Sequence, residues 1–340
     1  MKPTDFSKKL TDYLSNYLPG ERGVSSNTIK AYKDTFILFL RFMQLNKGKN
    51  ANSLMLKDIT QEVVIQFLDW LEAERCCGIS TRNARLATLH SFFNFLQYRS
   101  PILLHEWQRI LAIPMKKSEK PIRAHICLEG IKLLLEQPES ETFMGLRDLA
   151  ILSLLYDSGA RVQELIDLTP ADINLNKPYS VRIKGKGNKK RLVPLMSDQV
   201  AILVEYMKNN HLIEPSAAFY PLFSNSRGDH FTRMGINNIL QKYVNRVKVD
   251  NPNLLPNKVT PHILRHSKAM HLLQAGVNIV YIRDFLGHSS ITTTEVYARA
   301  DTKLKREALE KAHNLIPEKK SEQGVWLSDI GIMDWLKQLT

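Results

Sequence analysis

Thr260-Pro261-His262-Ile263-Leu264-Arg265-His266, running on through SKAMHLLQA to Gly276, carries the punctuation of one complete helix. Thr260 can cap it, Pro261 suits a first turn that needs no amide donor, and Gly276 stops it. Spacing of i to i+3 puts His262 and Arg265 over one spot on one face. The imidazole can exchange a proton near neutral pH while the guanidinium stays charged. A zinc site from His262, His266 and His271 is the rival reading. No HExxH pattern and no supporting cysteine accompany it, so no metal is expected.

Downstream, residues 278–286 read as a short helix closed by Gly287, which leaves His288 just past its C-terminus with donors facing outward. A structural helix-end histidine is the plainer reading. Thr292 and Glu295 resemble a capping box and would set Tyr297 on the first turns of another helix, where half-buried packing is a tyrosine's ordinary role. Upstream, Arg161 follows Gly159-Ala160 at a predicted helix start, with Glu164 one turn later to orient it. An arginine there adds planar donors to unpaired backbone amides, a geometry that suits a phosphate oxygen; a surface Arg/Glu pair is the alternative.

Residues 179–184 and 191–195 read as two strands around GKGNKK (185–190), a Gly and Asn rich turn suited to a hairpin. Lys186 at its tip can reach into a groove and protonate a departing alkoxide, with Lys189 and Lys190 as rivals. The GxxxxGK[ST] pattern of a nucleotide loop is absent. As a set, these cationic and proton-carrying groups followed by one phenol are what a chain needs to attack a phosphodiester covalently without a metal. A phenol with a pKa of about 10 is mostly protonated at neutral pH, so it needs positive charge and a polarised phosphate beside it.

The 340 residues, 44% hydrophobic and 24% charged, are ordinary globular material, enough for two domains. Forty-seven Lys and Arg against 34 Asp and Glu leave a formal charge of +13, which makes nucleic acid the first partner to expect, against the bland alternative of a basic protein with no such partner. The excess is densest at the start, with 19 basic and 11 acidic side chains in residues 1–123. Three cysteines, two of them adjacent as Cys76 and Cys77, form neither a disulfide framework nor a CxxC pair, which points to a reducing compartment. The N-terminus lacks an apolar h-region and no apolar run approaches about 20 residues, so a cytoplasmic protein is expected, with no membrane partner.

Apolar stripes at helical spacing predict helices over about 6–17, 28–43, 60–74 and 80–98, a small four-helix unit. In the last of these Arg82, Arg85 and His90 interleave with apolar positions, so that one edge could meet phosphates; a solvated charged edge is the alternative. AIPMKKSEKPIR (112–123) has two prolines and no periodicity and reads as the linker. Domains are therefore expected at 1–111 and 124–316, the second with helices at 128–136 and 142–158, mostly α with a small antiparallel sheet. The tail, 317–340, opens on PEKKSEQG and then carries Ile332, Trp335, Leu336 and Leu339 as one apolar stripe.

The segments SGARVQEL, GKGNKKRLVPL, LFSNSRGDHFT, TPHILRHSKAMHLLQAG and IRDFLGHSSITTTEVYARA resemble the catalytic domain of tyrosine recombinases, the phage integrase and Xer-type family. The helical first third is similar to that family's core-binding domain, by helix pattern more than by motif. The resemblance implies a site-specific DNA recombinase, without cofactor, that closes its two domains on double-stranded DNA and works as a homo-tetramer on two sites, with a related recombinase as a conceivable co-subunit. It implies that Arg161 and Arg265 hold the scissile phosphate and His288 donates to it. Lys186 would protonate the leaving 5′ oxygen, His262 assist, Glu164 buttress Arg161, and Tyr297 form a 3′-phosphotyrosyl link. Alternatives are a type IB topoisomerase-like nicking-closing enzyme, a family that typically has a lysine where His262 stands, and an inactive DNA-binding regulator. The tail would dock on a neighbouring subunit, or else on its own domain. The start of the helical unit near residue 1 leaves no room for an extra arm-binding domain, which leans toward Xer-like or simple transposon enzymes.

Overall fold

The computed structural model describes residues 2–117, 124–288, 290 and 294, and of Lys186 the backbone alone. They gather in two units, Met1–Pro121 and Ile122–Thr340, each with its own hydrophobic core. Tyr297, the Thr292/Glu295 capping box and the 317–340 tail lie outside the described residues.

The first unit is helical. α1 (Asp5–Asp12) runs on as a π-helix, Tyr13–Glu21, and is followed by α2 (Ser26–Lys47), α3 (Gln61–Ala73), α4 (Ile79–Arg99) and α5 (Leu104–Leu111). Side-chain caps start α2 and α3: Ser25 accepts from the Thr28 amide and Thr60 from the Val63 amide. Gly48, at φ 64°, ends α2 in the left-handed conformation that a side chain would disfavour. The apolar faces meet in an aromatic centre, where Phe92 lies 5.1 Å from Phe36 and 5.2 Å from Tyr13 between ring centroids.

The four expected helices are joined by α5, which is too short, and lacks the side-chain cap, to be legible in the sequence. Tertiary contacts hold it instead. Trp107 is fully buried against Phe93, 5.2 Å between centroids, and Glu106 accepts from the Gln61 amide at the start of α3 at 2.6 Å. The segment expected as linker from residue 112 likewise begins too early. Ile113 is buried in this core, and Lys116 pairs with Glu72 at 2.6 Å.

The second unit contains α6 (Leu128–Leu135), α7 (Phe143–Asp157), α8 (Val162–Ile166), α9 (Ser197–Asn209), α10 (Arg233–Asp250), α11 (Pro261–Gln274) and α12 (Ile279–Leu286). A sheet in the order β1-β2-β3 is formed by Ile173–Asn174, Ser180–Lys184 and Lys190–Pro194, antiparallel throughout. The mainly α architecture with a small antiparallel sheet is as expected, with β1 as an added short edge. α7 is buried on nearly every side and forms the axis of the unit. Its end at Gly159, φ 56°, turns the chain sharply into Arg161. Val181 and Ile183 alternate inward on β2 and Val193 on β3, which pins the hairpin to the core and leaves the turn after Gly185 projecting.

Candidate active site

The buried carboxylate of Glu164 organises the site. Arg161 is the N-cap of α8, and Glu164, three residues on, accepts from its backbone amide at 2.9 Å and from Nη1 at 2.6 Å. Arg191 on β3 gives Nη2 to the same carboxylate at 2.8 Å, and Nη1 of Arg265 on α11 lies 3.9 Å away. Burial alone would raise the Glu164 pKa. The hydrogen bonds from Arg191 and Arg161 and the charge of Arg191 outweigh that, and the group is held below its ordinary value.

Arg265 is 1% exposed, with Nη1 donating to the Gly159 carbonyl at 2.5 Å and Nη2 to the Leu286 carbonyl at 2.6 Å. It therefore ties the end of α7 to the end of α12. The Leu286 carbonyl, with that of Phe285, which takes Nε of Arg191 at 2.9 Å, belongs to the last turn of α12, where carbonyls have no helical partner and the dipole favours a cation. His262, one turn earlier on α11, is exposed. The face expected to carry both groups runs from solvent at His262 into the interior at Arg265, because the first turn of α11 stands at the edge of the core and the second turn is inside it.

Asn278 caps α12 and Gly287, φ 65°, closes it, and His288 follows with its amide bonded to the Arg283 carbonyl. The imidazole is half-buried, with Nδ1 3.0 Å from the Thr294 hydroxyl, which is itself fully buried. Desolvation, then the charges of Arg265, Arg161, Arg191 and His262, push the His288 pKa down to about 4. Four basic groups from three chain segments, two of them on α11, are thus close enough to act on one imidazole.

Arg161, 41% exposed, faces a cavity of about 430 Å³ that is also lined by Gly185, Lys189, Lys190, Arg191, Asp284, Gly287 and His288. Positive groups dominate its wall and suit an anion. The backbone of Lys186 lies in the turn above it, where Gly187 and Asn188 both take positive φ. Arg191 and Thr294 are absent from the sequence-derived set. Period-two alternation with buried Val193 was the available signal for Arg191, since residues 191 and 193 share the inward side of β3; Thr294 had none.

Two groups expected at phosphates are otherwise engaged. Arg82 is 6% exposed with Nε 3.6 Å from Glu72, and Arg85 donates to the Ala31 carbonyl and to Thr35 Oγ1 at 2.9 Å. This edge of α4 packs against α2 and α3, so its cations serve the first unit's interior. Lys30, Lys33 and Arg41 on α2 are exposed instead. Among the described residues no three His, Cys, Asp or Glu side chains gather as a metal site requires, and His271 spends Nδ1 on the Tyr156 hydroxyl at 2.8 Å. No described helix is long and apolar enough to cross a membrane.

The Phage integrase family profile matches residues 128–303, and the phage integrase N-terminal SAM-like domain matches residues 10–100. The chain belongs to the phage integrase family of tyrosine recombinases. Among its relatives, tyrosine recombinase XerC of Pelobacter propionicus is 32% identical over 297 residues, covering 87% of this chain and 92% of that one. Tyrosine recombinase XerD of Listeria monocytogenes is 32% identical over 306 residues, covering 87% and 95%. The fold is that of the XerH site-specific recombinase bound to difH substrate, with a TM-score of 0.65, 23% identity and coverage of 85% of this chain and 80% of that chain. It is likewise that of the Tn1549 transposon integrase in complex with a circular intermediate DNA, at TM-score 0.66 and 17% identity, covering 88% and 98%.

Two outcomes follow from the geometry of this family member's site. Removing the hub leaves buried cations uncompensated, so Glu164→Ala should cost about 3–5 kcal/mol in urea unfolding. Arg161→Ala, at the exposed end of the same network, should cost less than about 1 kcal/mol. Because the folded His288 pKa is depressed, its contribution to stability is complete above about 6.5 and falls as pH drops toward about 4. Its imidazole proton resonances should titrate near the lower value, and binding of a phosphodiester should move that midpoint upward by neutralising the surrounding charge; an unshifted midpoint near 6.5 in the free protein would contradict the arrangement.

Proposed function

We propose that this chain is a site-specific recombinase that cuts and rejoins duplex DNA, with Tyr297 as nucleophile. The observation that carries the reading is the convergence of Arg161 and Arg265 on the Glu164 hub, with His288 within reach of their charges, beside a basic cavity and beneath the Lys186 turn. A scissile phosphate fits against Arg161, whose exposed donors meet two of its oxygens, while Arg265 and His288 supply positive potential and a ring donor. Charge then develops where fixed guanidiniums already stand, and little reorganisation is needed during the reaction.

The Tyr297 oxygen attacks phosphorus, the bond to the 5′ oxygen breaks, and that oxygen takes a proton from Lys186. His262, at the exposed start of α11, assists proton transfer at the tyrosine. The covalent 3′-phosphotyrosyl link conserves the bond for rejoining, so no nucleotide cofactor is consumed. DNA affinity comes largely from phosphate contacts and weakens steeply with salt; Lys189 and Lys190 at the cavity, with Lys30 and Lys33 on α2, are the side chains we assign to it. Strand exchange needs two duplexes, and a homo-tetramer in the cytoplasm, linked through the apolar stripe of the tail, completes the reading.

A nicked suicide duplex carrying the target site tests the chemistry. Wild-type protein should form a covalent adduct, and Tyr297→Phe should reduce it to background while DNA binding persists in a mobility-shift assay; an adduct that survives in Tyr297→Phe would mean another nucleophile. Deletion of residues 318–340 should leave cleavage of a single site within about threefold of wild type and reduce pairing of two sites tenfold or more, given the high effective concentration such a tether supplies. Equal loss of both activities would remove the tail from assembly.

A further inference from the structure

We propose that Arg191 is a positioning residue for strand cleavage, one that fixes the Lys186 turn against the groups that hold the phosphate. The inference rests on the strand-cleavage reading above. Arg191 stands on β3 opposite Ile183, with its side chain 11% exposed. Nη2 bonds Glu164 at 2.8 Å and Nε bonds the Phe285 carbonyl at 2.9 Å. The Arg191 side chain also lies close to Gly287, where an added Cβ would come within 3.0 Å of Nη1. At Gly185, the neck of the turn, an added Cβ would lie 3.4 Å from Glu164 Oε1 and 3.6 Å from Arg191 Nη1. One planar side chain therefore bonds the carboxylate that orients Arg161 and the helix end from which His288 emerges, and lies beside the neck of the hairpin that bears Lys186.

The turn has few other anchors. Lys189 and Lys190, at the cavity wall, are exposed, and the bond from the Gly185 amide to the Lys189 carbonyl, 2.8 Å, closes the loop on itself without attaching it to the body of the unit. Arginine suits the task because its rigid fork can satisfy a carboxylate and a helix-end carbonyl in one plane, which lysine cannot. With that fork removed, β2 and β3 stay paired but the turn can swing relative to the cavity. The groups that bind phosphate remain; the proton donor is misplaced, and the defect falls on the leaving-group step.

Cleavage breaks the P–O5′ bond, its electron pair passes to O5′, and Lys186 supplies the proton. With sulfur as the 5′ bridging atom, the P–S bond breaks to a thiolate that is stable near neutral pH and needs no acid, thiols having a pKa of about 8.5. Single-turnover adduct formation at saturating DNA is then compared on oxygen- and sulfur-bridged suicide substrates for wild type, Lys186→Ala, Arg191→Met and Arg191→Lys. On the oxygen substrate Arg191→Met should be slowed by about 10–100-fold, a share of the 10²–10⁴ that general acid catalysis supplies, and Arg191→Lys by less. On the sulfur substrate both should return to within about threefold of wild type. Equal slowing on both substrates would make Arg191 fold support only, and no slowing on oxygen would dismiss it. Should Arg191→Met fail to fold, the same ratio read on Arg191→Lys decides. If instead Lys186→Ala is not rescued by sulfur, or wild type forms no adduct, the strand-cleavage reading itself fails and this inference falls with it.

Discussion

A single buried carboxylate, Glu164, makes the rest of the second unit's site possible. Guanidiniums are costly to bury, and Arg265 is buried completely, so the interior must supply negative potential close by. Glu164 supplies it to Arg161 and Arg191 by direct bonds and to Arg265 from 3.9 Å. Further donors of Arg191 and Arg265 are met by carbonyls at or just past helix ends, at Gly159, Phe285 and Leu286. Charge and unsatisfied backbone thus cancel one another, and a cluster of cations becomes rigid instead of repelling itself apart.

That arrangement explains why the site is assembled from ends of elements. Gly159 ends α7, Arg161 begins α8, Gly185 leads out of β2, and Gly287 ends α12. Glycine at 159 and 287 takes positive φ, and at 287 the missing side chain also leaves room for the Arg191 guanidinium. Arg161 and His288 leave rigid elements at their ends, while Arg265 and Arg191 reach the same place from inside α11 and β3, which gives precision without long loops. Preorganisation of this kind is where a phosphoryl-transfer site gains most, since positioned charge does the greater part of the catalysis.

Basic residues do different work in the two units. In the first, Arg82 and Arg85 hold α4 to its neighbours through Glu72, the Ala31 carbonyl and Thr35, and so contribute to packing through both stem and charge. A sequence cannot tell such a cation from one that faces a phosphate, because both interleave with apolar positions at helical spacing. A different cause hid α5, whose eight residues gain their order from Trp107 in the core rather than from caps.

By itself the sequence determined the two-part helical plan and the hairpin, and it marked side chains able to carry chemistry. Those features are local: caps, glycine stops, period-two alternation and the HxxR spacing act within a few residues of chain. Only the tertiary structure decided that Glu164 serves three arginines, that Arg191 and Thr294 belong to the site, that His262 and Arg265 differ in exposure, and that Arg82 turns inward. Each of these depends on which distant segment packs alongside, and burial with its accompanying desolvation is a property of the packed neighbourhood, which spacing along the chain does not encode.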